Sequence, residues 1–73
     1  MAGRLPVLKP KRVIKALERG GFYIDHVTGS HYIMMKGARR VTVPYHGRDL
    51  PRGLLASIIS QAGLSVEEFM KLL

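Results

Sequence analysis

The chain contains no cysteine. That removes disulfides, zinc ribbons, thiol catalysis and iron–sulfur clusters together, and it fits a reducing compartment. Acidic residues are scarce, five Asp/Glu against 12 Lys/Arg, for a formal net charge of +7. Long apolar runs are missing too, none approaching the roughly 18 residues of a membrane span. The opening Met1-Ala2-Gly3-Arg4-Leu5-Pro6-Val7-Leu8 is too short and too broken by Pro6 for a signal peptide. Residues 1–9 are therefore expected to form an arm or an added strand before one domain over 10–73, in a cytoplasmic protein. At 73 residues there is no room for a second domain. A domain of this size buries only about 60% of its unfolded surface, so the core must come from a few well-packed apolar faces.

The charge is uneven. Eleven of the 12 Lys/Arg but only three of the five acids fall within residues 1–52. A solvated basic face is the bland explanation. A small domain has no structural need for the asymmetry, however, which favours a polyanionic partner, RNA or DNA before others.

Pro10 suits a first helical turn, and Val13, Ile14 and Leu17 follow at helical spacing, which predicts an amphipathic helix over about 10–20. Gly20-Gly21 ends it, with one glycine at the left-handed cap position. Phe22 to Val27 reads as a strand, with a turn near Thr28-Gly29, and Ser30 to Lys36 as a second strand. Gly37-Ala38 fits a two-residue type II′ hairpin loop, and Arg39 to Val43 a third strand that Pro44 ends. After a polar loop over 45–50, Pro51 opens a helix with Leu54, Leu55, Ile58, Ile59 and Ala62 on its apolar face, closed by Gly63. Ser65-Val66-Glu67-Glu68 is a capping box, flanked by Leu64 and Phe69 at hydrophobic-staple positions, for a short helix over about 65–71. The expected fold is α+β, α-β-β-β-α with a short C-terminal helix: a three-stranded antiparallel sheet with its helices on one face, an architecture shared with double-stranded-RNA-binding domains. The other face stays available to a partner.

Histidine titrates nearest neutral pH and is the usual proton-transfer side chain. His31 follows a glycine turn at the start of the middle strand and is the leading catalytic candidate. An ordinary strand histidine bonded to backbone is the more economical reading of the residues alone. Alternation does not fix its face, since Ile33 and Met35 share its parity while Tyr32 and Met34 have the other. Lys36, Arg39 and Arg40 on the same hairpin favour a neutral imidazole, able to act on a ribose 2′-hydroxyl, and are candidate phosphate ligands. Ser30, Tyr32 and His46 are possible supporting residues, although Ser30 makes a poor nucleophile and suits a turn. Arg48 beside His46, and Lys11 and Lys15 on the first helix, complete the candidate RNA contacts. Tyr23, Tyr32 and Tyr45 can stack on bases or simply pack. His26 receives no role. Asp25, Glu18 and Asp49 are the acids that could complete a catalytic pair, unranked. No histidine pair has helical metal-ligand spacing and no His-Glu-x-x-His occurs, so neither metal nor cofactor is expected.

Taken together, Leu17-Glu18-Arg19-Gly20-Gly21-Phe22, Gly29-Ser30-His31, Val41-Thr42-Val43-Pro44 with His46, and Gly53-Leu54-Leu55 to Ala62-Gly63-Leu64 resemble the HicA toxin family, from about Leu8 to Leu72. The resemblance implies a small mRNA interferase of a toxin–antitoxin system, paired with a HicB-type antitoxin that blocks its site. It also implies a fold like that of double-stranded-RNA-binding domains and metal-independent endoribonuclease activity, with His31 at the catalytic position. One departure is Tyr32, where many members carry a second histidine. Two other readings compete, a non-catalytic double-stranded-RNA-binding module and a protein-interaction domain. The first usually gathers lysines at the start of its last long helix, where this chain has Arg52 alone before Gly53-Leu54-Leu55.

Overall fold

The computed structural model describes residues 5–73. Its elements run α1 (Pro10–Arg19), β1 (Tyr23–Thr28), β2 (His31–Lys36), β3 (Arg39–Pro44), α2 (Arg52–Gln61) and α3 (Val66–Lys71). The strands form one antiparallel sheet in the order β1-β2-β3, so β2 is central and the fold is α+β with an open sheet.

Both long helices end in the same way. Gly20 keeps an ordinary φ of −82°, and Gly21 takes the left-handed position at φ +97°. The N–H of Phe22 then reaches the Leu17 carbonyl and that of Gly21 the Glu18 carbonyl, the paired bonds of a Schellman cap. Gly63, at φ +73°, repeats this after α2, with Leu64 N–H to Ile59 and Gly63 N–H to Ser60. Between the strands, Lys36 pairs with Arg39 around Gly37 at φ +59°, with Ala38 outside the positive-φ region, as a type II′ turn requires. The first hairpin is equally tight: Thr28 pairs with His31 around Gly29-Ser30. Ser30 therefore belongs to the turn, not to the second strand as its β-prone neighbours imply, and β2 begins at His31.

Met34 on β2 and Val41 and Val43 on β3 share one sheet face and are fully buried in a single core with Val13, Leu17, Leu55, Ile58 and Phe69. That face is the one the helices cover. Leu54 stays exposed, because it lies about 100° around α2 from Leu55 and falls at the margin of the stripe formed by Leu55, Ile58, Ile59 and Ala62. β1 lies exposed throughout, as the edge strand farthest from β3, onto which α1 and α2 pack.

The first four residues of the expected N-terminal arm lie outside the described residues. From Leu5 onward the segment is fastened down. Leu8 is buried and accepts the Leu50 N–H at 2.8 Å, Arg52 Nε donates to the Leu5 carbonyl at 2.9 Å, and Lys9 Nζ to that of Gly47 at 3.3 Å.

Candidate functional site

Strand register decides which side chains can work together. Cross-strand partners share a face and successive residues alternate. Met34 faces the helices, so Tyr32 and Lys36 do too, while His31, Ile33 and Met35 take the open face. Register carries Thr28 and His26 on β1, and Arg40, Thr42 and Pro44 on β3, to that open face. Ile33 is only 5% exposed yet stands outside the helical core, set between His26 and Thr42. Charged and hydrogen-bonding side chains thus surround an apolar centre.

His31 is exposed at the first position of the central strand, with Thr28 on one side and Pro44 on the other. The tight Gly29-Ser30 turn fixes its backbone, and the Tyr45 N–H donates to the Ser30 carbonyl at 2.6 Å, continuing the β2–β3 ladder beyond it. A histidine so placed is held by the sheet and open to solvent, a suitable mounting for a proton-transfer group.

The cations grouped with His31 by sequence are mostly elsewhere. Lys36 lies five residues along β2, about 17 Å away at the usual strand rise, and on the helix-covered face. Its Nζ donates to the Gly20 carbonyl at 2.7 Å and stands 5.9 Å from the Phe22 ring centroid, so it caps α1. Arg39 also takes the helix-covered face and leans over Gly63, where a Cβ would strike its guanidinium. A cleft of about 530 Å³ lies beside both, at the end of the sheet away from His31. Arg40 alone of the three shares the open face, opposite Met35 and about 14 Å along the strand from His31. Lys11 and Lys15 are exposed on α1, in the helical layer.

Tyr32 follows His31 in sequence but faces the other way, packs against the core and stacks on Tyr45 with ring centroids 4.8 Å apart. It is a packing residue of the end of the sheet where His31 stands. His46 and Arg48, both exposed, lie in the loop that leaves this end after Pro44, the cross-strand partner of His31. The Ser30 contribution is its turn carbonyl. Among the described residues no three His, Asp or Glu side chains gather as a metal-ion site.

Two residues gain a position that sequence periodicity conceals. His26 Nδ1 lies 2.7 Å from Asp25 Oδ2, the two side chains being 49% and 48% exposed. Neighbours on a regular strand point to opposite faces. A register shift between Ile24 and His26 makes Asp25 the extra residue of a β-bulge and brings the two together. Of Asp25, Glu18 and Asp49, Asp25 is the one whose carboxylate bonds a histidine among the described residues.

Among the described residues no helix is long and apolar enough to cross a membrane. A search of curated proteins finds no match for the chain. Residues 10–64 match the family of the HicA toxin of bacterial toxin–antitoxin systems, from the first residue of α1 to the staple leucine before α3. Over three quarters of its length, then, this chain belongs to the HicA toxin family.

Proposed function

We propose that this toxin is an endoribonuclease that binds mRNA on its open sheet face and cuts it without a metal, with His31 transferring a proton at the scissile phosphate. One observation carries the reading: the histidine of the Gly29-Ser30-His31 triplet stands exposed on the central strand, on the face that the helices leave free. A net charge of +7 supplies the general attraction to a polyanion. His46 and Arg48, in the loop that leaves the same end of the sheet, are the candidates for stabilising charge on the phosphate. Arg40 meets the strand some nucleotides away. Lys11 and Lys15 serve a longer RNA that wraps the helical layer, while Lys36 and Arg39 serve the fold first. Tyr32 supports the site indirectly, through its stack on Tyr45 at the end of the sheet where His31 stands, and Ser30 through its turn.

A HicB-type antitoxin neutralises the toxin by covering the same face. The domain proposed with this reading spans 10–73, preceded by the arm over 1–9, in a cytoplasmic protein. Its test is incubation of purified protein with a long single-stranded RNA in EDTA, beside His31→Ala checked for folding by circular dichroism. General acid–base catalysis contributes about 10²–10⁴ in rate, so the variant should lose cleavage by that factor and keep its RNA affinity. Equal cleavage by both proteins contradicts the role of His31. RNA bound but uncut by the wild type leaves the double-stranded-RNA-binding module.

A further inference from the structure

The bulge in β1 does two things at once. From the Tyr23 end, Ile24 pairs with Met34 and so takes the helix-covered face; from the turn end, His26 pairs with Ile33 and takes the open face. On an unbroken strand, residues 24 and 26 share a face. The extra residue Asp25 is what turns His26 toward the His31 side while leaving Ile24 on the other. His26 and His31 become diagonal neighbours, since His31 lies two residues before Ile33 on β2. Such neighbours stand about 7–8 Å apart.

Stability does not explain the arrangement. A bulge interrupts the ladder, and an exposed pair such as Asp25–His26 contributes little in return. The pair does set the imidazole. A carboxylate only accepts, so in the neutral ring the bond at 2.7 Å keeps the hydrogen on Nδ1 and leaves Nε2 as the free acceptor. Among the described residues, register places Tyr23, His26, His31 and Arg40 on this face, the Asp25 carboxylate joins it through its bond to His26, and His46 and Arg48 stand in the loop that leaves the His31 end.

We propose that His26, oriented by Asp25, is a second catalytic residue beside His31, accepting the 2′-hydroxyl proton while His31 protonates the leaving 5′-oxygen. This rests on the ribonuclease reading above. The 2′-oxygen attacks phosphorus and the bond from phosphorus to the 5′-oxygen breaks. The 2′ proton passes to His26 Nε2, and the proton on His31 passes to the departing oxygen. The products are a 2′,3′-cyclic phosphate and a 5′-hydroxyl end, and exchange with water restores both rings. Each imidazole needs to come within about 2.6–3.2 Å of its oxygen, and two rings on diagonal positions can flank one phosphate in this way. Asp25 is a positioning residue, acting only through His26.

Single-turnover cleavage of a short RNA tests the assignment, run in parallel on the same RNA with sulfur in place of the bridging 5′-oxygen. Sulfur departs without protonation. His26→Ala should cut both substrates about 10²–10⁴ times more slowly. His31→Ala should fail on the oxygen substrate and recover on the sulfur one. Asp25→Asn should lower the saturating single-turnover rate with the half-saturating concentration held, and His26→Ala should remove the acidic limb of the pH–rate profile while keeping the alkaline limb. Wild-type rates from a folded His26→Ala, with His31→Ala inactive, overturn the two-histidine site and leave the ribonuclease reading intact. Recovery of His26→Ala by sulfur overturns the division of roles. A wild type that cuts neither substrate overturns both readings.

Discussion

Glu68 accepts the Ser65 backbone N–H at 2.8 Å, while the Ser65 hydroxyl accepts the Glu68 N–H at 3.0 Å. The Ser65 backbone donor chiefly, then the Ser65 side chain and the charge of Lys71, hold the Glu68 carboxyl below its ordinary value of 4.5. A carboxyl depressed by folding stabilises the native state fully above its unfolded pKa, and that contribution is lost as pH falls through the folded one. Glu68→Gln should therefore flatten the acid side of the stability profile. Urea unfolding at about pH 7 and at about pH 3, on either side of the carboxylate range, measures this. Equal acid losses in the two proteins contradict it. This pair is legible in the chain, because a capping box is local and its spacing is fixed by the helix itself. Asp25 and His26 are adjacent as well, yet their partnership is not legible, because strand alternation sends neighbours to opposite faces unless a bulge intervenes.

The six-residue α3 is too short to persist alone and depends on what it buries. Phe69, fully enclosed, is its anchor. A truncation of this kind costs about 3–5 kcal/mol, while a domain of this length has roughly 4–11 kcal/mol in all. Phe69→Ala should thus consume much of the margin and lower the thermal midpoint steeply; melting at the wild-type temperature contradicts the anchoring. Element order follows from signals with local causes: Pro10, Gly21, Gly37, Gly63 and Ser65 each stand where the backbone demands that residue type. The strand interiors are less transparent. Ile33 and Met34 are both buried, so hydrophobicity along β2 does not alternate, and the face of His31 emerges only when β3 supplies the pairing. Arg39 looks like a companion of His31 until its pairing with Lys36 turns it to the other side, whereas Lys36, an odd number of residues along the same strand, is already separated from His31 by alternation.

In the whole molecule, the three strand cations fall on both sides of the sheet, while Lys11, Arg12, Lys15 and Arg19 stand on α1. Lys36 and Arg39 take the helix-covered side, where Lys36 closes α1. The open side carries His26, His31 and Arg40 around Ile33. Composition reports only the sum, so +7 does not say where on the surface a polyanion would be attracted. A noncleavable 2′-O-methyl RNA titrated into isotope-labelled protein, followed residue by residue by nuclear magnetic resonance, locates the contact directly. Use of the open face predicts the largest shifts at His26, His31, Ile33, Arg40 and Thr42. Shifts concentrated at Lys11 and Lys15 on α1, with the open face silent, would contradict it.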